Sequence, residues 1–534
     1  MEKQEKAEKI DLREIKETKE KKAKPVTQRA KAKKAETGAD TKAKAGAKAK
    51  TGAKSKSKTK KILFVSGESL PFMATGGLGE VIGALPKYLI RADKNLDVRV
   101  VMPLYETIKV KFAERLEFAG HIQVALGWRS QYCGIFKTEE NGVLYYFIDN
   151  EGYFKRPQYF GHFDDGERFA FFCKAVLDIL DKINFIPDII HAHDWQSGLV
   201  PVYLKTNYSH IKEFDNIKTV FTVHNIEYQG RYNFDILEDV FDISSIHRQV
   251  LELHGDINIM KGAMMCSDII STVSPSYAKE IHDMNSAFGL DPIVNMLSGK
   301  IRGILNGIDI EFFNPETDAK ISANYSAENP GDKARNKAQL QTVMNLPNEE
   351  RVPVISIVSR LVFAKGVDVL ADVMEELVKQ QPAQFIVLGS GNRDYELRFE
   401  ALSERFGNRI GVKIGYDAEL ARKIFAGSDM IIMPSRSEAC GLTQMTASRY
   451  GAVPIVMSTG GLKDSIIPYE PEGGGNGFVF ENCGFDSVTD AVNRACSVYN
   501  EPEKWTELVK RVMKWDFSWE QSAKEYIKMY KELL

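Results

Sequence analysis

The sequence predicts an α/β protein with two doubly wound domains. Short apolar runs alternate with amphipathic stretches of helical spacing, a pattern typical of parallel strands covered on both faces by helices. Two such series follow one another, and a turn-rich stretch at residues 303–318 separates them. The chain has 534 residues, which is enough for two or three domains. In such folds ligands bind beyond the carboxyl ends of the strands, so we expect the functional residues in the loops that follow them.

Residues 1–60 are predicted to be a disordered basic extension. They contain no aromatic residue and hold 21 Lys and Arg against 9 Asp and Glu. Such a segment cannot bury enough apolar surface to offset the entropy lost on ordering. Its composition fits two interpretations, a polycationic arm with weak affinity for a polyanion and a solubilising extension without a specific role.

The rest of the chain has the composition of an ordinary, acidic globular protein. It holds 50 basic and 64 acidic residues, out of 71 and 73 in the whole chain. Six scattered cysteines without a CxxC pair indicate a reducing, cytoplasmic location and no structural zinc. No apolar run approaches the roughly 18 residues of a membrane span, and the N-terminus lacks the apolar core of a secretory signal. We therefore expect no membrane association.

The first series of strands comprises KILFVSG, VRVVMP, VLYYFID, DIIHAHD, TVFTVHN and IISTVS. Gly76 and Gly77 separate the first of these from the helical stretch GEVIGALPKYLI. Glycine lets a ligand approach the backbone closely, and the amides at a helix N-terminus favour an anion, most often a phosphate. A tight strand-to-helix turn explains the glycine pair equally well.

Two further loops of this series carry polar side chains. His193 ends the fourth strand within HAHDWQSGL, where it could contact a sugar hydroxyl or supply half of a metal site, and Trp195 beside it could simply be a core residue. Asp164 and Asp165 precede a helical pattern in FGHFDDGERFAFF. Either carboxylate could cap the helix or bind a sugar hydroxyl, and the residues alone leave both open.

The second series comprises PVISIVSR, QFIVLGSG, RIGVKIGY, MIIMPS and PIVM. Arg360 and Lys365 follow its first strand in SRLVFAKG, and two cations on one loop suit a diphosphate, although they could also be surface charges. Glu438 and Gly441 follow the strand MIIMP in SRSEACGLTQ, and TGGLKDSI adds a third glycine pair. Together these loops predict a cleft that binds a nucleotide diphosphate carrying a sugar.

The chain from Lys61 to Leu534 resembles the bacterial glycogen synthases and plant starch synthases that use ADP-glucose. The resemblance rests on TGGLGEVIGALPK, HAHDWQSGL, FTVHNIEYQG, DINIMKGAMMCSDIISTVSPSYAKEI, GILNGIDIEFFNPETD, SRLVFAKG, SEACGLTQ, STGGLKDSI and DFSW, which occur in the family's order. It implies a GT-B fold, in which two Rossmann-like domains face a central cleft. It also implies transfer of glucose from ADP-glucose to the 4-hydroxyl at the non-reducing end of an α-1,4-glucan, with retained configuration and without a metal or other cofactor.

The resemblance assigns roles to individual residues. Arg360 and Lys365 match the pair that neutralises the leaving diphosphate, and Glu438 matches the residue that holds the glucose hydroxyls. His193 corresponds to the histidine beside the glucose ring and Asp164 to an acidic residue on the acceptor side. The other implied substrate-binding positions are Thr75, Gly76, Gly77, Asn225, Asn258, Tyr416, Cys440, Gly441, Leu442 and Thr443. Among them, Tyr416 matches an aromatic residue that stacks on adenine.

The resemblance also implies domain boundaries. Residues 61–305 form the acceptor-side domain, residues 306–515 form the nucleotide-sugar domain, and residues 516–534 form a helix that crosses back to the first domain.

Three positions depart from the family pattern. Ala74 and Met457 stand where a lysine and an arginine are usual, and Thr446 stands where tyrosine is common. The first two leave the expected donor site without two cations. An active synthase remains the favoured interpretation, with use of UDP-glucose or another donor, or a weakly active glucan-binding regulatory protein, as alternatives.

Overall fold

The structure is a computed structural model and describes residues 59–534. The predicted disordered extension lies outside the described residues up to position 58. The described chain forms these strands: β1 (Lys60–Val65), β2 (Leu96–Pro103), β3 (Glu117–Leu126), β4 (Arg129–Glu140), β5 (Val143–Asp149), β6 (Ile189–His193), β7 (Lys218–Val223), β8 (Arg231–Asn233), β9 (Glu252–Leu253), β10 (Asp256–Asn258), β11 (Ile269–Thr272), β12 (Ile301–Gly303), β13 (Val354–Val358), β14 (Gln384–Gly389), β15 (Ile410–Ile414), β16 (Met430–Met433), β17 (Val453–Met457) and β18 (Phe478–Phe480).

Helices connect the strands. They are α1 (Gly77–Ala92), α2 (Glu106–Lys111), α3 (Glu151–Phe154), α4 (Asp165–Lys182), α5 (Leu199–Lys205), α6 (Arg248–Leu251), α7 (Ile259–Cys266), α8 (Pro275–Glu280), α9 (Asp291–Met296), α10 (Lys333–Val343), α11 (Val367–Gln380), α12 (Arg393–Arg405), α13 (Ala418–Gly427), α14 (Thr443–Arg449), α15 (Gly460–Ser465), α16 (Phe485–Tyr499), α17 (Pro502–Lys514) and α18 (Trp519–Lys531). None of the helices within residues 59–534 has the length and apolar character needed to cross a membrane.

A nine-stranded sheet forms the core of the N-terminal lobe. Its strand order is β12-β11-β7-β6-β1-β2-β5-β4-β3, with β1 near the middle. Helix α1 covers this sheet because its apolar side chains recur at helical spacing, so that Leu78, Val81, Ile82 and Leu85 are all buried. A separate three-stranded sheet, β8-β10-β9, lies in the same part of the chain.

One edge of the nine-stranded sheet departs from the predicted parallel arrangement. Strands β3 and β4 pair antiparallel, and β4 pairs antiparallel with β5. The sequence did not predict β3 and β4, because exposed and buried residues are mixed along both strands and neither forms a continuous apolar run. Such mixed patterns are typical of antiparallel strands with one solvated face.

A fully parallel six-stranded sheet forms the core of the C-terminal lobe, in the order β15-β14-β13-β16-β17-β18. The two lobes together form the predicted GT-B fold. In each sheet the chain reverses its direction of winding beside one central strand, between β1 and β6 in the first sheet and between β13 and β16 in the second. Ligands of doubly wound folds bind at such reversal points. The loops that follow these four strands are therefore the expected site.

Helix α18 packs in the N-terminal lobe although it follows the C-terminal lobe in sequence. Its side chains Trp519, Tyr526 and Tyr530 belong to the core of the nine-stranded sheet. The chain enters this helix beside the segment that leaves the first lobe, since Ile308 N donates to Phe517 O at 2.8 Å. A side chain at Gly307 would place its Cβ 2.6 Å from the backbone nitrogen of Trp519, so only glycine fits there. The domain boundaries at 305/306 and 515/516 stay predictions.

Candidate active site

An ion pair between two loops forms the centre of the site. The ammonium of Lys365, after β13, contacts the carboxylate of Glu438, after β16, and Ser435 Oγ donates to the same carboxylate at 3.1 Å. The side chains of Lys365 and Glu438 are only 16% and 12% exposed. Gly366 makes the close packing possible, because it adopts a φ of +66° and a Cβ there would lie 2.1 Å from Pro434 O. Two opposite charges are thus held, largely out of water, at the reversal point of the second sheet.

The third glycine pair supports this loop instead of facing a ligand. Gly461 N donates to Glu438 O at 3.1 Å, and a Cβ on Gly460 would lie 1.9 Å from that oxygen. Gly460 N in turn donates to the carboxylate of Glu280 at 2.7 Å, and Glu280 comes from α8 of the N-terminal lobe. The backbone amides of Gly460 and Gly461 are therefore already hydrogen-bonded to groups of the protein.

Two contacts show that loops of the two lobes face each other. Arg360 is exposed and donates to the hydroxyl of Tyr228 at 3.0 Å, and Tyr228 lies in the loop after β7 of the opposite lobe. A Cβ on Gly77, at the start of α1, would lie 3.5 Å from the side chain of Leu442, at the start of α14. The first glycine pair and the loop after β16 are therefore neighbours across the cleft.

The first glycine pair follows a carboxylate that the sequence analysis missed. Glu68, in the loop after β1, is 5% exposed and accepts hydrogen bonds from the backbone nitrogen and the hydroxyl of Thr75. Burial raises the pKa of Glu68, and the hydrogen bonds from Thr75 oppose that rise. The amide of Thr75 thus holds an internal carboxylate, while Gly76 and Gly77 are exposed and no atom lies within 4 Å of a Cβ built on Gly76. Space for a ligand exists beside Gly76.

Two neutral histidines meet where β6 and β7 end, since His193 is the last residue of β6 and His224 directly follows β7. His193 is fully buried, and its Nδ1 lies 3.0 Å from Nε2 of His224. Burial lowers the pKa of both imidazoles, that of His224 to about 3 and that of His193 well below its usual range. Both rings are therefore uncharged at neutral pH, and His193 can act by hydrogen bonding but not as an imidazolium.

Asp194 next to His193 has a strained backbone. Its φ and ψ are +55° and 176°, a conformation rarely adopted by residues other than glycine. The carboxylate accepts a hydrogen bond from His224 N at 2.7 Å, which links the loop after β6 to the loop after β7. Burial raises the pKa of Asp194 to about 7, against the effect of the backbone hydrogen bonds from His224 and Asn225.

The carboxylates of Asp164 and Asp165, at the start of α4, make different contacts in the structure. Asp164 stands at the N-cap position but its side chain makes no capping hydrogen bond. Instead its carboxylate pairs with both terminal nitrogens of Arg156, and these hydrogen bonds, together with the charge of Arg156, lower the pKa of Asp164. Asp165 accepts from Gly161 N at 2.7 Å. Asp164 is therefore an ionised carboxylate that remains partly accessible, at 30% exposure of its side chain.

The implied polar and aromatic positions differ in accessibility. Tyr416 is 92% exposed, as a stacking platform for a base would have to be. Asn225 is half-buried and accepts from Glu227 N at 2.9 Å. Asn258 is fully buried, since its oxygen caps α7 through Lys261 N at 2.9 Å and its nitrogen donates to Gln229 at 2.7 Å. The side-chain amide of Asn258 is thus already satisfied within the protein.

The SEACGLTQ loop turns sharply at Gly441, whose φ is +72°. Cys440 before it is buried, and burial raises the pKa of its thiol, so it is a packing residue and not a thiolate. Leu442 and Thr443 are half-buried at the beginning of α14. Gln444 holds the turn closed by donating to Gly441 O at 2.8 Å.

The three departures from the family pattern lie in different surroundings. Ala74 is exposed, next to Thr75. Met457, at the end of β17, packs against the core of the C-terminal lobe, and Thr446 is buried inside α14. Of the three, Ala74 is therefore the position where a longer, charged side chain would reach solvent directly. Within residues 59–534, no three His, Cys, Asp or Glu side chains are grouped so that they could bind a metal ion.

Taken together, the structure unites some predicted residues and separates others. Lys365 and Glu438 touch, and Arg360 reaches the opposite lobe. Asp164 and Asn258 contact neither of these groups and instead bond to their own neighbours in the N-terminal lobe. Four residues that belong to the same set of contacts were not singled out from the sequence: Glu68, His224, Tyr228 and Glu280. The only sequence signal for the first two was a carboxylate or histidine in the loop after a strand.

Comparisons with known proteins identify the family to which the chain is similar. Residues 61–296 match the model of the starch synthase catalytic domain, and residues 343–512 match that of the glycosyl transferases group 1. Glycogen synthase from Geobacillus thermodenitrificans is 43% identical over 89% of this chain and 98% of its own length. Glycogen synthase from Clostridium botulinum is 45% identical over 89% of this chain and 99% of its own length.

Solved structures point the same way. The catalytic domain of starch synthase IV from Arabidopsis thaliana, bound to ADP and acarbose, superposes with a TM-score of 0.82 at 32% identity and covers 89% of this chain and 99% of its own. Sucrose-phosphate synthase from Thermosynechococcus elongatus shares only the fold, at 16% identity and a TM-score of 0.56 over 89% of this chain and 99% of its own. The chain therefore belongs to the family of glycogen and starch synthases, which are GT-B glucosyltransferases.

Proposed function

We propose that this chain transfers glucose from ADP-glucose to the non-reducing-end 4-hydroxyl of an α-1,4-glucan, glycogen or starch. The observation that carries the proposal is the contact between Lys365 and Glu438 at the reversal point of the second sheet. One loop there supplies cations for a diphosphate, and the adjacent loop supplies a carboxylate for sugar hydroxyls. The related catalytic domain of starch synthase IV is bound to ADP and acarbose.

Lys365 and Arg360 act on the leaving group. As the bond between the glucose and the diphosphate breaks, negative charge grows on the phosphate oxygens, and cations already in place stabilise it without reorganising. The ammonium of Lys365 has three donors, so it can keep Glu438 while it bonds a phosphate oxygen. Arg360 would exchange its contact with Tyr228 for the diphosphate. Each such donor contributes about 3–4 kcal/mol to stabilising the transition state.

Glu438, His193 and Asp164 act on the sugars. The carboxylate of Glu438 accepts from hydroxyls of the donor glucose, and Lys365 pairs with it in a partly dry site. The neutral ring of His193 has an Nε2 without a hydrogen-bond partner among residues 59–534, which a glucose hydroxyl would satisfy. Asp164 would orient the acceptor chain, because Arg156 keeps it ionised at the cleft's first-lobe side. Retention of configuration then follows from attack on the same face from which the diphosphate leaves.

The remaining substrate contacts belong to the same proposal. Tyr416 would stack on the adenine, and the exposed backbone at Gly76 and Gly77 would approach the donor. The half-buried Leu442 and Thr443 would present backbone amides to a phosphate. Asn258 is the weakest candidate, since both polar atoms of its side chain are already bonded.

Incorporation of labelled glucose into glycogen, with ADP-glucose and UDP-glucose in parallel, tests the proposal. We expect incorporation from ADP-glucose to exceed that from UDP-glucose. A preference for UDP-glucose would indicate that the absence of a cation at Ala74 reflects a change of donor. No incorporation from either donor, with glycogen binding intact, would indicate a regulatory glucan-binding protein. We also propose a cytoplasmic location, supported by six cysteines that are all free thiols.

A further inference from the structure

Helix α18 brings two buried tyrosines against a histidine that the proposed reaction does not use. Tyr526 and Tyr530 each lie with their ring centroids 5.8 Å from that of His191 in β6. Only Tyr530 is bonded to it, since its hydroxyl lies 2.7 Å from His191 Nδ1. The hydroxyl of Tyr526 is buried and has no hydrogen-bond partner within residues 59–534. The helix thus offers two similar side chains, one bonded and one not.

The bond from Tyr530 continues into a chain of buried polar groups. His191 Nε2 lies 2.6 Å from Thr222 Oγ1, which lies 2.6 Å from Ser271 Oγ. His191 is fully buried, and burial lowers its pKa well below the usual value, so one ring nitrogen donates and the other accepts. A phenol is a stronger acid than an aliphatic hydroxyl, which favours Tyr530 as the donor to Nδ1. His191 then carries its proton on Nε2 and donates to Thr222.

His191 is in direct contact with the histidine of the site. The ring centroids of His191 and His193 are 4.1 Å apart, with 32° between the ring planes. Phe64 lies against the His193 ring, with centroids 5.2 Å apart and an interplanar angle of 18°. Because protein interiors are close-packed, a ring held between two others moves when either of them moves. The position of His193 therefore depends on how His191 is held.

We propose that Tyr530 is a positioning residue for the glucosyl transfer. Its hydroxyl fixes the orientation and tautomer of His191, and the His191 ring in turn fixes His193 beside the donor glucose. The proposal rests on the proposed function, in that His193 contacts the sugar. Helix α18 would then position a residue of the site in addition to completing the core of the N-terminal lobe.

The test compares Tyr530→Phe with the matched control Tyr526→Phe. Both changes remove one buried hydroxyl from the same helix and keep the ring. We expect Tyr530→Phe to lower kcat by about 10- to 100-fold, as small misplacements of a reacting geometry do, with the KM for glycogen unchanged. We expect Tyr526→Phe to retain wild-type kcat, because its hydroxyl has no hydrogen-bond partner within residues 59–534.

A second readout separates positioning from loss of stability. Ring-nitrogen NMR of histidine-labelled protein, recorded well below the unfolding temperature, should show changed Nδ1 and Nε2 shifts for His191 and His193 in Tyr530→Phe only. Equal kcat values in both variants, or altered activity without any change in the His193 signals, would overturn the proposal. An inactive wild-type protein would instead count against the proposed function, so the two failures are distinguishable.

Discussion

Replacing Lys365 by alanine would separate two effects of its ammonium group. In the free protein this group pairs with Glu438, and in the proposed reaction it also stabilises charge on the leaving diphosphate. Loss of one preorganised donor to a developing charge costs about 3–4 kcal/mol, so we expect kcat to fall by about 10²–10³-fold. The KM for glycogen should stay nearly constant, because in the proposed reaction the acceptor does not contact this lysine.

The same substitution should also destabilise the fold. It leaves the Glu438 carboxylate, 12% exposed, with the hydroxyl of Ser435 as its remaining side-chain donor. An incompletely paired buried charge of this kind costs about 1–3 kcal/mol in the free energy of unfolding. Adding Glu438→Gln removes the charge while keeping a group that can bond sugar hydroxyls. The double variant Lys365→Ala/Glu438→Gln should therefore recover stability but not kcat.

The assay pairs steady-state transfer from ADP-glucose with urea unfolding of the same preparations. Lys379→Ala provides a matched control, since it removes an exposed lysine near the far end of α11 whose ion-pair partner within residues 59–534 is the half-buried Glu375. Surface pairs of this kind contribute about 0–1 kcal/mol, so both kcat and stability should stay close to wild type. Recovery of kcat together with stability in the double variant would refute the reasoning, because Lys365 would then act only by neutralising Glu438.

Three further outcomes are expected. Gly460→Ala should lower both stability and kcat, since its Cβ would lie 1.9 Å from Glu438 O; wild-type values would show that the loop can move away. Asp194 has a folded pKa of about 7 against an ordinary value of 3.8, so between those values the folded state binds the extra proton and stability falls as pH rises. Asn cannot titrate, so the stability of Asp194→Asn should not fall in this way. Urea unfolding should therefore show Asp194→Asn gaining stability relative to wild type between pH 5 and pH 7, roughly the upper part of that window. A stability difference between the two proteins that stays constant with pH would contradict the pKa assigned to Asp194. Deleting residues 1–58, which ends before β1 begins, should leave kcat nearly unchanged; a large loss that persists at low salt would assign the basic arm a role in catalysis.

The sequence predicted the contacts that lie within one lobe better than those between lobes. Lys365 and Glu438 could be found because each lies in the loop that follows a buried parallel strand, and such loops meet at one edge of the sheet. The antiparallel edge of the first sheet was not predicted, because strands β3 and β4 lack continuous apolar runs. Patterning alone predicted two doubly wound domains, whereas the GT-B arrangement came from the family resemblance.

Contacts made by distant segments could not be predicted in this way. The amide of Gly460 looked like an anion site, but Glu280, 180 residues earlier, occupies it. Arg360 meets Tyr228 from the other lobe, and no spacing along the chain records that approach. Asn258 was given a sugar-binding role by resemblance, whereas its position directly before α7 is that of a helix cap. The partners of Gly460 and Arg360 are thus set by the tertiary fold, whereas the cap formed by Asn258 is local to the start of α7.

The place of α18 has a consequence for how the protein is made. Trp519, Ala523, Tyr526, Met529 and Tyr530 complete the core built around β1, yet the ribosome synthesises them more than 400 residues after that strand. Domains usually fold in order as they emerge during translation. The N-terminal lobe can therefore complete its core only after the entire C-terminal lobe has been translated. Until then the apolar groove that α18 fills is open to solvent. A truncation that removes only the final helix would therefore damage the part of the molecule that was synthesised first.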